Sequence, residues 1–266
     1  MTDPVFNTNP ASMSNVRPLR GANVIAVASG KGGVGKTWFS ITLAHALARA
    51  GKNALLFDGD LGLANVDIQL GFTPRHDLGQ VIDGSVTLKR AAERFPDTGF
   101  DIVAGRSGSG TLATLPSQRL SGLRNDLLEL ARNYDYVIMD MGAGVDRTVR
   151  TLAGPAGRTL VVTTDEPTSL TDAYAFIKLT HATNPNADLR VVVNVAQTLK
   201  EGERTYNTIL KACQNFLKFK PELAGIVRRD LKVRDAIRTQ TPLLTRSPAC
   251  DAANDVMGIA QRLIRE

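Results

Sequence analysis

The sequence predicts an α/β fold built on a single doubly wound, mostly parallel β-sheet with helices on both faces. Six short runs are apolar throughout, which is typical of strands covered on both faces. Segments with helical periodicity lie between several of these runs, and this alternation indicates right-handed βαβ units. The predicted strands are NVIAVAS (23–29), NALLFD (53–58), DYVIMD (135–140), RTLVVTT (158–164), RVVVNV (190–195) and LAGIV (223–227).

The clearest predicted helix follows the first strand. Its apolar positions recur at helical spacing, and Gly51 stands where a C-terminal cap is expected. These positions are Phe39, Leu43, Ala46, Leu47 and Ala50. We predict one domain over residues 23–266, because no repeat or linker interrupts it. Residues 1–22 contain Pro, Asn and Ser but lack the apolar stretch of a secretory signal, so we predict a flexible cytoplasmic arm.

The composition excludes several classes of protein. The chain has 266 residues, of which 43% are hydrophobic and 22% charged, as in ordinary globular domains with a substantial core. It contains no uncharged apolar run of about 18 residues, which a membrane span requires. Cys213 and Cys250 are far apart without a CxxC pattern, and the three histidines are scattered. We therefore expect neither a disulfide framework nor a metal-cluster site.

The positive charge is concentrated in one part of the chain. Between Lys200 and Arg246 there are eleven lysines and arginines against five acidic residues, an excess equal to the net charge of +6. A basic region of this size could bind DNA, an acidic partner or an anionic membrane surface. Solvated helix faces explain it equally well, so the sequence leaves both interpretations open.

A phosphate-binding motif lies between the first strand and the first helix. The segment GKGGVGKT fits G-x-x-x-x-G-K-[ST] in the context that the motif requires. Backbone N–H groups of such a loop surround phosphate oxygens, and the helix start adds its positive dipole end. We expect Lys36 to reach the β- and γ-phosphates and Thr37 to bind Mg²⁺. The candidate nucleotide-binding residues are Gly30, Lys31, Gly32, Gly33, Val34, Gly35, Lys36 and Thr37.

Carboxylates follow two other predicted strands. Asp140 ends an apolar strand and precedes the glycines of YVIMDMGAG, so we expect it to bind Mg²⁺ directly or through water. FDGDLGLANVD contributes Asp58, Asp60 and Asp67, among which Asp60 is the best candidate to orient an attacking water. A turn or helix cap is the alternative for Asp140, and a solvated acidic turn is the alternative for the second segment.

Lys31 gives the motif a more specific resemblance. With a lysine directly after the first glycine, KGGVGKT resembles the deviant Walker A motif of the MinD/ParA family of ATPases. The resemblance implies that Lys31 reaches across a two-fold dimer to the partner's nucleotide, and that this dimer forms only with ATP. FDGDLGLANVDIQLG resembles switch I of the family, which implies that Asp60 contacts the water and Asp58 the outer shell of the metal. DMGAG, starting at Asp140, resembles switch II.

The resemblance covers nearly all of residues 22–265 and implies a nucleotide site. VVNV places Asn194 where the family has its adenine-reading asparagine. Arg228, in the VRRDLKV segment that replaces a proline-led loop, is a candidate to stack on the base. The implied cofactors are ATP or ADP and Mg²⁺. The implied catalytic residues are Lys31, Lys36 and Asp60, and the implied metal-binding residues are Thr37, Asp58 and Asp140.

Three segments are similar to one branch of the family, the FlhG/FleN regulators of flagellar number and placement. They are DIVAGRSG, YDYVIMDMGAGVDRTV and VVTTDEPTSLTDAYAFIK. The branch implies a slow, partner-stimulated ATPase that forms an ATP-dependent homodimer. Its implied partners are a flagellar GTPase, a switch-ring protein or a transcription activator, and its implied location is the cytoplasm, at a pole or at the membrane periphery.

Two features depart from this branch. Residues 1–22 contain nothing like its DQAxxLR activating motif, and the chain ends in DVMGIAQRLIRE rather than in a basic, aromatic-rich tail. The apolar stripe of this last segment is better explained by packing on the core than by membrane contact. Two alternatives within the family are a ParA-like partitioning ATPase that binds DNA non-specifically through residues 200–246, and a MinD-like division-site ATPase.

Overall fold

The computed structural model describes residues 21–105 and 115–266. The predicted arm lies outside the described residues, except for Gly21 and Ala22, which belong to the first strand. Eight strands occur in the described ranges: β1 (Gly21–Ser29), β2 (Ala54–Gly59), β3 (Glu93–Arg94), β4 (Asp101–Val103), β5 (Tyr136–Ala143), β6 (Ala156–Thr163), β7 (Leu189–Ala196) and β8 (Glu222–Arg228).

Eleven helices occur in the same part of the chain. They are α1 (Lys36–Arg49), α2 (Val66–Leu70), α3 (Leu78–Asp83), α4 (Leu88–Ala91), α5 (Ser117–Ala131), α6 (Arg147–Ala153), α7 (Pro167–Thr183), α8 (Leu199–Leu217), α9 (Leu231–Arg238), α10 (Leu243–Arg246) and α11 (Asp251–Arg265).

The eight strands form one sheet in the order β3-β4-β2-β5-β1-β6-β7-β8. Neighbouring strands are parallel except β3, which pairs antiparallel with β4. From β1 the sheet extends to one side through β5 and β2 and to the other through β6. The loop that follows β1 therefore lies where the winding reverses, the place at which doubly wound folds bind ligands.

Helices cover both faces of the sheet, which confirms the predicted doubly wound fold. One hydrophobic core contains buried residues of α1, α2, α9, α10 and α11. The other core contains buried residues of α3 to α8. Side chains of the central strands enter the two cores alternately, so the strands are apolar along their whole length.

The six predicted strands are confirmed with small shifts of their ends, whereas β3 and β4 were not predicted. Asp101–Val103 contributes only three residues to the sheet, pairing in parallel with β2. Glu93–Arg94 is a two-residue edge strand. Runs this short carry too few apolar residues to be distinguished from the surrounding chain.

The helix after the phosphate motif begins at Lys36. Four of its predicted apolar positions are buried, whereas Ala50 is exposed and lies directly after the helix. The helix ends at Arg49, and Gly51 has a φ of 77°, which favours glycine. Trp38 is 6% exposed and belongs to the same hydrophobic core as Phe39. The first turn of α1 is therefore anchored by packing while its polar side chains remain available to the adjoining loop.

The last helix packs on the protein core. Val256, Ile259 and Leu263 on α11 are buried, and the helix contacts α1 and β8. This arrangement confirms that the apolar stripe packs on the core. Within the described ranges, every helix is too short or too polar to cross a membrane.

His45 provides a test of the α1 packing. It is 4% exposed beside the Phe100 ring, and burial lowers its pKa to about 4. The unfolded chain binds this proton near pH 6.5, so between pH 4 and 6.5 the unfolded state holds more protons and stability rises with pH. Between pH 7 and pH 5, the free energy of unfolding should fall by about 2 kcal/mol more in wild type than in His45→Leu.

Denaturant unfolding at the two pH values measures this difference. His76→Leu, in a partly exposed position outside the core, serves as the control variant. Equal pH dependence of wild type and His45→Leu would contradict a buried, neutral His45.

Candidate active site

The glycine-rich loop between β1 and α1 is shaped by its neighbours. Gly33 and Gly35 have φ values of 78° and 90°, which residues with side chains rarely adopt. At Gly30, an added Cβ would stand 2.1 Å from the carbonyl oxygen of Asp172 on α7. Glycine at these three positions lets the backbone fold into a compact loop at the start of α1, whose N–H groups are suited to phosphate oxygens.

Lys36 opens α1 and is only 8% exposed. Burial lowers the pKa of its ammonium group, and the nearby carboxylates of Asp140 and Asp60 act in the opposite direction. Phosphate oxygens form strong, charge-assisted hydrogen bonds with an ammonium group in such a position. This position fits the phosphate-binding role predicted for Lys36.

Asp140 is held by hydroxyl groups of α1. It is 2% exposed and accepts a hydrogen bond from Ser40 Oγ at 3.0 Å and another from the Thr37 hydroxyl. Burial raises the pKa of Asp140 to about 6, although the Thr37 hydroxyl and the Lys36 charge oppose this rise. The start of α1 therefore places two hydroxyl groups and one ammonium group beside Asp140 of β5.

Asp58 lies opposite Asp140 on the neighbouring strand β2. It is 1% exposed and accepts the backbone N–H groups of Asp60 and Val66, each at 3.2 Å. Burial, followed by the negative charge of Asp140, raises the pKa of Asp58 to about 8. The structure thus brings two of the predicted metal-binding residues together on adjacent strands.

Asp60 follows β2 directly and lies beside the last residues of β5. Its Oδ1 accepts the backbone N–H groups of Gly62 at 3.2 Å and Leu63 at 2.9 Å. A Cβ added at Gly142 would lie 3.3 Å from the same oxygen. The carboxylate of Asp60 therefore lies against Gly142, two residues after Asp140.

The residues present fit Mg²⁺ that is shared with a nucleotide. Among the described residues, no three His, Cys, Asp or Glu side chains are grouped as a metal cage. Mg²⁺ commonly uses one or two carboxylates, with phosphate and water oxygens completing its octahedron. The hydroxyl of Thr37 and the carboxylates of Asp58 and Asp140 supply this kind of donor set.

Lys31 contacts α7 of its own subunit. Its Nζ lies 2.6 Å from Glu166 Oε2 and donates to Thr168 Oγ1 at 2.8 Å. The side chains of Lys31 and Glu166 are 36% and 62% exposed, so water screens this ion pair. Ser29 Oγ also donates to the Lys31 carbonyl oxygen at 2.6 Å, which fixes the backbone where the lysine leaves the loop.

Three residues of the site, Ser40, Glu166 and Thr168, were not predicted from the sequence. Ser40 carries a usable signal, because it lies one helical turn after Thr37 and shares its face of α1. Glu166 and Thr168 flank the proline that opens α7, after strand β6. Only the pairing of β6 with β1 brings them to the phosphate loop, and this pairing was not predicted from the sequence.

Asn194 and Arg228 lie at the same edge of the sheet. Asn194 near the end of β7 is 4% exposed and donates from Nδ2 to the Val34 carbonyl oxygen at 2.8 Å. Arg228 ends β8, and its guanidinium group binds Asp255 and Asp251 of α11 at 2.9 Å. The α11 carboxylates thus fix the Arg228 side chain, and its stacking on a base stays a prediction.

Comparison with known proteins assigns this arrangement to a family. Residues 25–243 match the family described as the CobQ/CobB/MinD/ParA nucleotide binding domain. The chain belongs to the CobQ/CobB/MinD/ParA family. The resemblance inferred from the glycine loop and the two aspartate segments is therefore confirmed.

The relatives include proteins of the flagellar branch of this CobQ/CobB/MinD/ParA family. The antiactivator FleN of Pseudomonas aeruginosa is 36% identical over 251 residues, which are 94% of this chain and 88% of FleN. The flagellum site-determining protein YlxH of Helicobacter pylori is 32% identical over 72% of this chain and 64% of YlxH. The MinC:MinD cell division complex of Aquifex aeolicus matches 92% of this chain and 96% of the solved chain, with a TM-score of 0.75 and 26% identity.

The contact between Gly30 and α7 predicts an effect on stability. Gly30→Ala places a Cβ against the Asp172 carbonyl oxygen, and backbone atoms on both sides must move. We expect the free energy of unfolding to fall by roughly 2 kcal/mol or more.

Gly32→Ala is the matched control, because its added Cβ would come no closer than 3.9 Å to another atom. It should change stability by less than about 1 kcal/mol. Denaturant unfolding of both variants measures the difference, and equal stabilities would show that α7 does not confine the loop at Gly30.

Proposed function

We propose that this protein is an ATP-binding and slowly ATP-hydrolysing dimeric switch that controls the number or position of flagella. The observation that carries the proposal is the glycine loop with two lysines, Lys31 and Lys36, facing different neighbours. Lys36 lies beside the carboxylate of buried Asp140, whereas Lys31 forms an exposed ion pair with Glu166 at the start of α7. The similarity to FleN and YlxH supports flagella as the structure that is controlled.

Each residue of the site has a role in this proposal. Lys36 binds the β- and γ-phosphates, and Thr37, Asp58 and Asp140 hold Mg²⁺, which when bound neutralises charge between phosphate oxygens. Asp60 orients the attacking water. We expect slow hydrolysis, because a partner protein is needed to complete the position of this water.

The contact of Lys31 with Glu166 is weak enough to be exchanged. An exposed ion pair contributes about 0–1 kcal/mol. A nucleotide triphosphate with several negative charges is a stronger partner for an ammonium group. In the proposed dimer, Lys31 leaves Glu166 and binds the phosphates of the partner subunit's ATP, so nucleotide binding also releases the start of α7.

The proposed partners are proteins of the flagellar system. FleN is named an antiactivator, which favours a transcription activator as the partner over a flagellar GTPase or a switch-ring protein. The solved MinC:MinD complex supports, at the level of the family, a switch that acts through a bound protein. We expect the protein in the cytoplasm and, with its partner, at a pole or at the membrane periphery.

The dimer proposal predicts a nucleotide-dependent mass. Wild type should be monomeric with ADP and dimeric with ATP and Mg²⁺. Asp60→Ala should accumulate as a dimer with ATP, because hydrolysis no longer separates it. Lys31→Ala should stay monomeric, and Lys52→Ala, an alteration outside the loop, should behave as wild type.

Light scattering behind size-exclusion chromatography measures these masses. A wild type and an Asp60→Ala variant that both remain monomeric with saturating ATP would contradict the switch.

The ParA-like alternative depends on the basic region at residues 200–246. Its helices lie on opposite faces of the sheet, because α8 covers one core whereas α9 and α10 cover the other. Exposed Lys211 on α8 and Arg234 on α9 therefore belong to different faces. This division favours solvated helix faces over one continuous DNA-binding surface.

A DNA-binding measurement distinguishes the proposed flagellar switch from the ParA-like function. We expect no ATP-dependent binding to duplex DNA in fluorescence anisotropy at low salt. ATP-dependent binding that falls steeply as salt is added would instead support the ParA-like function, because phosphate contacts release counterions.

A further inference from the structure

Asn194 contacts the phosphate loop across an intervening strand. It lies on β7, whereas the loop follows β1, and β6 is located between these strands in the sheet. Its Nδ2 donates to the Val34 carbonyl oxygen at 2.8 Å. A Cβ added at Gly35 would lie only 2.4 Å from the same nitrogen. The amide therefore packs directly on the backbone that is proposed to hold phosphates.

The orientation of the Asn194 amide is fixed at both ends. Its Oδ1 accepts the backbone N–H of Val195 at 2.9 Å while Nδ2 donates to Val34. A flipped amide would place oxygen against the Val34 carbonyl oxygen and N–H against the Val195 N–H. Both hydrogen bonds would then be lost, so the geometry defines one orientation.

The backbone at Val195 takes a costly conformation next to this contact. Val195 has a φ of 60°, and a β-branched residue at positive φ is a genuine outlier. The residue lies in an irregularity of β7 between Val193 and Ala196, and it is 40% exposed. Backbone strain of this kind is commonly found at functional sites. Here the strained residue supplies the N–H that holds Asn194.

The Val34 contact determines the direction of the next N–H group. The Val34 carbonyl and the Gly35 N–H belong to one planar trans peptide and point in opposite directions. Holding the Val34 oxygen toward Asn194 therefore directs the Gly35 N–H away from Asn194.

We propose that Asn194 is a positioning residue for phosphate binding. It fixes the Val34–Gly35 peptide so that the Gly35 N–H faces the phosphates, and the strained Val195 backbone keeps Asn194 in place. The inference rests on the proposed nucleotide-binding function. It gives Asn194 a role that is independent of the base, in addition to the base-reading role that the family resemblance implies.

A ligand without a base tests this role. Titration calorimetry with Mg²⁺ and inorganic tripolyphosphate, and separately with Mg²⁺ and ATP, gives the two affinities for each variant. We expect Asn194→Ala to weaken tripolyphosphate binding by a factor on the order of tenfold, as loss of one hydrogen bond to the loop would do, and to weaken ATP binding by at least that factor. The amide resonance of Gly35 should also shift in this variant before any ligand is added.

Asn254→Ala is the control variant. It removes an exposed amide on α11, outside the loop, and should bind both ligands as wild type. Thermal unfolding checks that each variant is folded, and Asn194→Ser replaces Asn194→Ala if the latter is not.

The outcomes separate this inference from the proposed function. If Asn194→Ala loses affinity for ATP but binds tripolyphosphate as wild type, Asn194 acts only on the base and the inference is wrong. A wild type that binds ATP but not tripolyphosphate also overturns it, because the loop then does not hold phosphates independently of the base. A wild type that binds neither ligand overturns the proposed function itself.

Discussion

The burial of Asp58 and Asp140 on neighbouring parallel strands is the electrostatic constraint on which the site depends. The two residues are register partners on β2 and β5, and each is almost completely buried. Two like charges about 5 Å apart repel by about 3 kcal/mol at an effective dielectric constant of about 20. Because burial and this repulsion raise the pKa of Asp58 to about 8, both groups are ionised at neutral pH only when positive charge is close. Lys36 supplies one positive charge from the start of α1, and the divalent cation of the proposed complex supplies the rest.

The phosphate loop owes its shape to contacts with both sides of the sheet. α7 confines it at Gly30, Asn194 of β7 confines it at Gly35, and α1 continues from its end. The contact of Lys31 differs from these, because the ion pair is exposed and Glu166 is a side-chain partner on another element. The loop is thus confined at its glycines, whereas Lys31 can exchange Glu166 for another partner. This combination is suited to signal nucleotide binding to a second subunit.

Much of the fold and part of the site could be predicted from the sequence. The six long strands are recognisable because each is apolar throughout, whereas β4 has only three residues in the sheet. The glycine loop could be predicted from its motif and context, and Asp60 and Asp140 from their positions directly after or at the end of predicted strands. The contacts of Lys31 with Glu166 and of Asn194 with Val34 join residues more than 130 positions apart. They depend on the pairing of β6 with β1 and of β7 with β6, which was not predicted from the sequence. The orientation of the Arg228 side chain likewise depends on its hydrogen bond to Asp255 of α11. Which residues α11 packs against is visible only in the structure.

A mixing experiment tests most directly whether Lys31 acts in the partner subunit. Lys31→Ala retains Asp60, and Asp60→Ala retains Lys31, so each variant alone should be nearly inactive as an ATPase. If Lys31 acts across the dimer, a mixed dimer contains one complete site, formed by Asp60 of one subunit and Lys31 of the other. We predict that mixing the two variants raises ATP hydrolysis well above the sum of their separate rates. A rate equal to that sum, at concentrations where mixed dimers are detected, would show that Lys31 acts within its own subunit and would contradict the proposed switch.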